Sequence, residues 1–394
     1  MKKISCLLCT LILLFSMSGC HPPSAQTTPG TDDSAQTGSG SGDFVPNQEP
    51  MYAVSVPTTT ESVKAENGTL IFSYTHQTMA LTLPDPDVAR QIIVDFLNRV
   101  EAFRSTADAT LDASKKADYN SANWIPYLCS TTYSPTRIDA GVLSLTGCNI
   151  TFSGNAHPDR VSVSANYDLT TGDVLTLGSI MSSQASAQDF SRLVLDVLDQ
   201  SKNQLYLYDG YESAVSQRFN QDVSKDQAWY FTPEGLCFYF EPYEIAPYSS
   251  GLIVAEIPYE KLSGLLNDRY FPAERVTAGG TVKIEGGDNI QLGDHPQIAE
   301  AVIDQSGQLV FLYTDGLLWD VEIAVGSWNS AGTEYTAAYT TLLCHTLSPG
   351  DAIRVQNIFD NADTALRLRF NTGNSEEVFY LKQNAKDGPI QLIK

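Results

Sequence analysis

After residue 51, apolar and polar residues alternate along most of this chain, and this period of two predicts a molecule built mainly from β-strands. Two segments have a helical period instead, with apolar positions recurring at steps of three and four residues. These positions are Val88, Ile92, Ile93, Phe96, Leu97, Val100 and Phe103 in the first segment, and Phe190, Leu193, Val194, Val197 and Leu198 in the second. The order strands, helix, strands, helix, strands predicts an α+β fold rather than repeated βαβ units.

The C-terminal part of the chain has no helical period. It contains about eight short alternating runs, among them "QLVFLYT", "LLWDVEIAV" and "ALRLRF", separated by turn residues. Such regular strands predict an all-β, sandwich-like domain. We therefore expect an α+β domain over residues 51–275 and a β-rich domain over residues 281–394, with the boundary at 276–280.

The N-terminus predicts export and a lipid anchor. Residues 1–19 combine two lysines with a short apolar run, which is typical of a signal peptide and too short for a permanent span. The end "MSGC" resembles the lipobox of bacterial lipoproteins, in which Cys20 is lipidated; an ordinary secretory signal is the alternative. Residues 20–50 are rich in Pro, Gly, Ser and Thr, so we expect a flexible linker. The predicted location is the extracellular face of the bacterial cytoplasmic membrane.

The charge of the chain limits its partners. A formal net charge of −22 and a pI of about 4.4 argue against nucleic acid and favour a cationic partner. The spacing of the cysteines after Cys20 fits no metal motif. A disulfide between Cys129 and Cys148 and buried free thiols both remain open.

The segment "SGNAHPDRVSVSANYDLTTGD" poses the question of catalysis. His157 has aspartates nearby in sequence and could bind a metal or transfer a proton. The alternative is that "GNAHP" and "DLTTGD" are turns between strands. We interpret four residues as structural turn positions: Gly154, His157, Asp168 and Gly172. No enzyme motif is recognisable, and His295 and His345 stand without paired aspartates in the sequence, so we expect no enzyme, metal or cofactor.

Two tyrosine-rich segments are the candidate ligand-binding surface, because tyrosine combines a large contact area with a polar end. The first, "YFEPYEIAPYSSG", contains Tyr239, Tyr243, Glu244 and Tyr248. The second, "QLYLYDGYES", contains Tyr206, Tyr208 and Tyr211 and is predicted to be a loop. The alternative interpretation of the first segment is a half-buried strand followed by a loop made rigid by its prolines.

Four short blocks together resemble one known family. They are the turn at Gly154–His157, the hairpin at Asp168–Gly172, the pair Gly235-Leu236 before an aromatic strand, and "YEIAPYSSG" at Tyr243–Gly251. These blocks are similar to the extracellular domain of the lysozyme-sensing anti-sigma factor RsiV, a domain that also occurs beside a peptidoglycan deacetylase domain. The resemblance covers roughly residues 51–270. It implies contact with the cell envelope and, in one member, the binding of lysozyme.

The chain departs from both relatives. No sigma-binding domain or transmembrane helix is recognisable in it, and the metal triad of the deacetylase has no counterpart. We therefore expect a non-catalytic, lipid-anchored surface protein that binds lysozyme or a similar protein. A peptidoglycan- or glycan-binding module is the alternative, and a hydrolase with an unrecognised site is the second alternative.

Overall fold

The two helical periods and the alternating runs correspond to helices and strands in a computed structural model. The structure describes residues 50–201, 205–220, 228–273, 279–286, 297–303, 307–329, 334–357, 364–383 and 390–394. The predicted signal peptide, the predicted lipidation site Cys20, all but the last residue of the predicted linker, and His295 lie outside the described residues. Within the described residues, no helix has the length and apolar character that crossing a bilayer requires.

The helices are α1 (Pro86–Ala102), α2 (Arg104–Ser114), α3 (Leu177–Ile180), α4 (Ala187–Ser201) and α5 (Tyr211–Phe219). The side chain of Asp85 caps α1 by accepting from two backbone N–H groups of the first turn, and Pro86 suits this position because it lacks an N–H of its own. The chain turns at Phe103, so the first predicted helix is two consecutive helices.

Nineteen strands are described, and their bounds follow. They are β1 (Ala53–Ser55), β2 (Thr58–Lys64), β3 (Leu70–Gln77), β4 (Ala80–Thr82), β5 (Tyr127–Ile138), β6 (Val142–Phe152), β7 (Asp159–Asp168), β8 (Trp229–Phe231), β9 (Gly235–Phe240), β10 (Ile253–Pro258), β11 (Val282–Gly286), β12 (Ile298–Val302), β13 (Gln308–Thr314), β14 (Leu318–Trp328), β15 (Tyr335–Leu347), β16 (Ala352–Asn357), β17 (Thr364–Asn371), β18 (Glu376–Gln383) and β19 (Ile390–Ile393). The protein is therefore a mixed α/β molecule with mostly strands.

The N-terminal half of the described chain, up to residue 273, contains the helices and two sheets. One sheet has the order β2-β3-β5-β6-β7, and the other has the order β10-β9-β8. Helices α4 and α5 contribute apolar side chains to one core with the three-stranded sheet. Side chains of the five-stranded sheet form hydrogen bonds with β8, an edge strand of the three-stranded sheet. Thr136 donates to the Phe231 carbonyl at 2.7 Å, and Asn166 donates to the Trp229 carbonyl at 2.9 Å. These bonds fix β8 against β5 and β7.

The C-terminal region is β-rich, and two sheets there share one core. The orders are β19-β18-β17-β14-β15-β1-β4 and β11-β13-β16-β12. Apolar side chains from both sheets meet in a single cluster that includes Leu312, Ile323, Leu342 and Val355. The β-rich character of this region agrees with the alternating pattern of its sequence.

The first strand pairs with a strand on the other side of the predicted domain boundary. β1 lies between β15 and β4, with Val54 opposite Leu343, and so joins the sheet of the C-terminal region. Val54 and Val56 are fully buried, in a cluster that also contains Leu343. The described residues between 50 and 394 form one compact unit. The alternation identifies β1 as a strand, but pairing across almost 300 residues leaves no signal in the local pattern.

A buried ion pair joins segments far apart in the first half. Arg137, only 3% exposed, donates from Nε to Asp139 at 2.6 Å and from Nη1 to the Tyr259 hydroxyl at 2.5 Å and the Tyr270 carbonyl at 2.7 Å. The other oxygen of Asp139 accepts from the backbone N–H groups of Gly141 and Val142. We call Arg137, Asp139, Tyr259 and Tyr270 the arginine network.

The four cysteines of the described residues are free thiols. Cys129 lies opposite Thr151, whereas Cys148 lies opposite Thr132, so the two cysteines are offset by three residues along neighbouring strands. Three residues correspond to about 10 Å and to opposite faces of the sheet. That separation exceeds the reach of a disulfide.

Candidate functional site

The turn that contains His157 connects β6 to β7 and ends at the surface. Gly154 has φ +89°, and a side chain there would contact the ring of Tyr127, so glycine suits the position for two reasons. His157 is exposed, and its Nδ1 lies 3.3 Å from the Pro158 carbonyl. Among the described residues, His157 forms no ion pair with a carboxylate. The structure thus places His157 on a tight turn rather than in an acidic pocket.

The second part of the site is the loop between β9 and β10. Tyr243 has φ +73°, an uncommon conformation for a residue with a large side chain, and its N–H donates to the Ala246 carbonyl at 2.8 Å. Glu244 accepts from the N–H of Glu241 at 3.0 Å, and Glu241 accepts from the N–H of Ser162 on β7 at 2.5 Å. These bonds close the loop and attach it to the strand that follows the His157 turn.

Buried residues also anchor the loop between β9 and β10 to the core. Ile245 is fully buried and Ala246 nearly so, and both belong to the core of the three-stranded sheet. The Ile245 carbonyl accepts from the N–H of Tyr208 at 2.9 Å, which brings the second tyrosine segment beside the first. Arg218 donates to the Tyr239 carbonyl at 2.6 Å and lies 3.3 Å from Glu244. The loop is therefore anchored at several points.

These two loops bring three aromatic rings into one row on the surface. The ring of His157 stacks on Tyr248 at a centroid distance of 5.1 Å, and Tyr248 stacks on Tyr243 at 5.8 Å, with interplanar angles of 29° and 30°. Tyr243 is 67% exposed and Tyr248 is 42% exposed. We call His157, Tyr248 and Tyr243 the aromatic ridge.

The seven predicted ligand-binding residues separate into two groups. Tyr206, Tyr208, Tyr243, Glu244 and Tyr248 are exposed. Tyr239 and Tyr211 are buried, which corrects their assignment to a ligand-binding surface. Tyr239 lies on β9, the central strand of its sheet, which is covered on both faces. Tyr211 begins helix α5 instead of lying in a loop, and its hydroxyl donates to Asp199 at 2.8 Å.

Asp168 and Gly172 lie in the hairpin that follows β7. The buried carboxylate of Asp168 accepts from the N–H of Thr170 at 2.9 Å and from its hydroxyl at 2.5 Å, and it forms an ion pair with Arg269. Gly172 has φ +79°, which the turn requires. Asp168 thus holds the hairpin and the segment around Arg269 together.

Sequence reasoning missed two features of the site region. The stacking of His157 on Tyr248 joins residues 91 positions apart, and no local pattern signals it. The second feature is His345, for which no aspartate partner is visible in the sequence. Its Nδ1 lies 3.7 Å from Oδ1 of Asp320, because the two residues lie on neighbouring strands. The only sequence signal for this proximity is that Asp320 and His345 both lie in alternating runs, which predict strands.

The titratable groups of the described residues include four cysteines. Burial raises the pKa of the four cysteines in the described residues, to about 12 for Cys237, so their thiols stay protonated at neutral pH and are poor nucleophiles. Within the described ranges, no group of three or more His, Cys, Asp and Glu side chains is placed to hold a metal ion. What the site offers is a rigid, exposed aromatic surface with polar groups around it.

Residues 182–260 match a protein family of unknown function, DUF3298. The DUF3298 segment contains both tyrosine-rich segments, whereas His157 precedes it. The chain is also similar to a solved DUF3298 family protein from Pseudomonas aeruginosa PAO1, with 18% identity and a TM-score of 0.37 over 56% of this chain and 97% of that chain. A member of the family from Bacteroides fragilis NCTC 9343 has 15% identity and a TM-score of 0.39 over 56% of this chain and 95% of that chain. No curated protein matches the chain.

Proposed function

We propose that this protein is a non-catalytic surface protein that binds a basic protein at the bacterial envelope, with lysozyme as the first candidate, through the aromatic ridge. The observation that carries the proposal is the exposed row of three stacked rings on two anchored loops. Tyrosine is enriched among residues that dominate protein interfaces, because its large ring loses little conformational entropy on binding.

The anchoring of the ridge supports a role in binding. The loop of Tyr243 and Tyr248 is fixed by the buried Ile245 and by backbone bonds, so it has little mobility left to lose when a partner docks. A surface arranged in advance binds more tightly than a mobile one with the same contacts. The left-handed conformation of Tyr243 also supports a role in binding, because strained residues concentrate at functional sites.

Charge favours a basic partner. The chain has a formal net charge of −22. Exposed acidic residues flank the ridge: Glu244 on the loop of Tyr243, Asp159 at the start of β7, and Asp209 in the second tyrosine-rich segment. Such a surface speeds the approach of a basic protein and repels acidic ones. The attraction weakens as salt is added, whereas the aromatic contacts persist.

The family resemblance supports lysozyme in particular. The blocks that resemble RsiV at Gly154–His157 and Tyr243–Gly251 are the ones that supply the rings of the ridge. DUF3298 occurs in RsiV, whose extracellular domain senses lysozyme. A lipid-anchored protein of this kind would hold lysozyme away from the peptidoglycan. Peptidoglycan itself is less suited to the ridge, because the stacking of two rings on Tyr248 reduces the ring surface that a sugar can cover.

The binding experiment is a calorimetric titration of lysozyme into the mature chain with Cys20→Ala, at low and at physiological salt. The proposal predicts saturable one-to-one binding that weakens with salt but persists. Cytochrome c, another small basic protein, is the control for charge alone and should bind weakly at low salt only. Saturable binding of peptidoglycan fragments without binding of lysozyme would replace the proposal by the glycan alternative.

The anchor is tested separately. We propose that Cys20 carries a lipid that holds the protein on the extracellular face of the cytoplasmic membrane. Cys20→Ala should release the protein from the membrane fraction into the medium, while Cys148→Ala should leave it with the membrane. Retention of the Cys20→Ala protein in the membrane fraction would contradict the lipid anchor.

A further inference from the structure

A cleft with a volume of about 420 Å³ lies where β5 faces β14, β15 and β17. Sites for small molecules have volumes of about 300–1,000 Å³, so the cleft has the size for one. Its lining carries side chains of both charges, including Glu234, Asp320, Glu322, His345, Arg367 and Arg369. None of the three residues of the aromatic ridge lines it, and it is independent of the proposed function.

Two arginines in the cleft are held in place by the buried carboxylate of Glu322, and Arg369 also lies 3.3 Å from the Glu376 carboxylate. Glu322 accepts from Nη2 of Arg367 at 2.8 Å through one oxygen and from Nη2 of Arg369 through the other. Burial alone would raise the pKa of Glu322, but the two guanidinium groups outweigh it and the pKa lies below its usual value. Glu322 therefore stays charged and fixes both arginines, while the Arg369 side chain remains 42% exposed.

A bulge in β14 directs a carboxylate toward the same cleft. Trp319 pairs with Asn371 and Glu322 pairs with Arg369, so two residues of β14 lie opposite one residue of β17. Asp320 is one of the two and has φ +48°. Its Oδ1 lies 3.7 Å from Nδ1 of His345, which also lines the cleft. Bulges redirect side chains in this way near functional sites.

The two charged features lie at a defined spacing. Asp320 is two residues from Glu322 along β14, and Arg369 is the cross-strand partner of Glu322. Two residues of a regular strand span about 7 Å, and the bulge at Asp320 makes this step shorter. A dipeptide separates its terminal ammonium and carboxylate by a distance of the same order. An ion of one sign would be attracted by one side of the cleft and repelled by the other, whereas a zwitterion matches both.

We propose that this cleft binds a dipeptide-sized zwitterion, a short peptide with free ends. Its carboxylate contacts the guanidinium groups of Arg369 and Arg367, and its ammonium group contacts Asp320. The guanidinium groups are already oriented by Glu322, so the site is arranged before the ligand arrives.

The test compares one dipeptide with two half-ligands, using calorimetry on the mature chain with Cys20→Ala. Alanyl-alanine carries both charges, N-acetyl-alanyl-alanine lacks the ammonium group, and alanyl-alanine amide lacks the carboxylate. We expect the dipeptide to bind saturably and each half-ligand to bind roughly tenfold more weakly, because each has lost one charge-assisted hydrogen bond. Equal binding of a half-ligand, or saturation by none of the three, would overturn the proposal.

Two variants assign the ends of the ligand. Arg369→Gln should weaken dipeptide binding and abolish the preference over the amide, whereas Asp320→Asn should abolish the preference over the acetylated peptide. Asparagine keeps the backbone at position 320, because it tolerates a left-handed conformation well. Arg90→Gln and Asp87→Asn are the controls, since this exposed ion pair on α1 lies outside the cleft. If the two cleft variants bind all three ligands with the same affinities as the control variants, the assignment is contradicted. If a cleft variant fails to fold, the comparison of the three ligands on the unsubstituted cleft still tests the proposal.

Discussion

The aromatic ridge and the arginine network use similar residues in the same half of the molecule, and their surroundings differ completely. In the ridge, Tyr243 and Tyr248 expose large parts of their rings, and His157 is exposed beside them. In the network, Tyr259 is 9% exposed and its hydroxyl accepts from Arg137 and donates to the Thr232 carbonyl at 2.9 Å. Residue type alone therefore does not separate a binding tyrosine from a structural one.

The difference predicts opposite consequences of substitution. The network joins β5 to the segment around Tyr270, so its loss should lower stability without acting on a partner. The ridge rests on a fold that other residues maintain, so its loss should lower affinity without unfolding the protein. Each prediction below measures both the free energy of unfolding and the binding of lysozyme.

The largest effect is expected from Arg137→Met. Removing the guanidinium leaves the Asp139 carboxylate buried without its charged partner, which costs about 3–5 kcal/mol of the free energy of unfolding. Urea unfolding followed by tryptophan fluorescence measures this loss. Arg90→Met is the matched control, because its ion pair with Asp87 is exposed and contributes less than about 1 kcal/mol. If both variants lose a similarly small free energy of unfolding, the arginine network contributes no more to stability than an exposed ion pair, which would contradict this account.

Tyr248→Ala should give the largest change in affinity. Tyr248 lies between its two partners in the ridge, and truncating a central interface tyrosine costs about 2 kcal/mol, or roughly thirtyfold in affinity. Its free energy of unfolding should fall by less than about 1 kcal/mol, since the side chain is 42% exposed. Leu97→Ala, at a similar exposure of 39% on α1, is the control for loss of exposed apolar surface. An unchanged affinity in Tyr248→Ala would exclude the ridge as the contact.

Tyr243→Asn sharpens the comparison, because it should move stability and affinity in opposite directions. Asparagine adopts a positive φ more readily than tyrosine, so the free energy of unfolding should stay the same or rise by up to about 1 kcal/mol. The affinity for lysozyme should fall by about 1 kcal/mol as the exposed ring is lost. A variant that loses stability and keeps its affinity would show that Tyr243 serves the fold.

The smallest effect is expected from the pH dependence of Glu322, a buried charge outside both regions. An unfolded glutamate has a pKa near 4.5, and the folded pKa of Glu322 is lower because Arg369 and Arg367 outweigh the opposing effect of burial. The unfolded chain therefore takes up the proton first as the pH falls. The stabilisation by Glu322 is complete above pH 4.5 and is lost as the pH falls through the folded pKa. Acid titration of stability should be flatter in Glu322→Gln as the pH falls below 4.5; identical curves would contradict this account.

Much of the fold was predictable, because it depends on local periods. The spacing of Phe190, Val194 and Leu198 predicts the buried face of α4, and all three are fully or almost fully buried. The dipeptide Asn67-Gly68, a common hairpin signal, lies in the turn between β2 and β3, where Gly68 has φ +87°. The pairing of β1 with β15 was not predictable, since a three-residue strand carries no information about its partner.

The candidate site was predictable only in part. Prolines and glycines identify the two loops as turns, and the tyrosines identify a candidate surface. The alternation does not reveal that β9 is covered on both faces, so Tyr239 was assigned to the surface although it is 4% exposed. His157 can stack on Tyr248 because β7 and the end of β9 lie close together. Packing and the hydrogen bond from the Ser162 N–H to the Glu241 carboxylate keep them there.

The central claim is that the aromatic ridge is the binding surface, and hydrogen–deuterium exchange with and without lysozyme tests it most directly. The account predicts slower exchange at residues 154–161, 206–209 and 243–251, which form or adjoin the ridge, and unchanged exchange in β11–β19. Protection in the C-terminal sheets with none in those three segments would contradict it, as would the absence of any protection at saturating lysozyme.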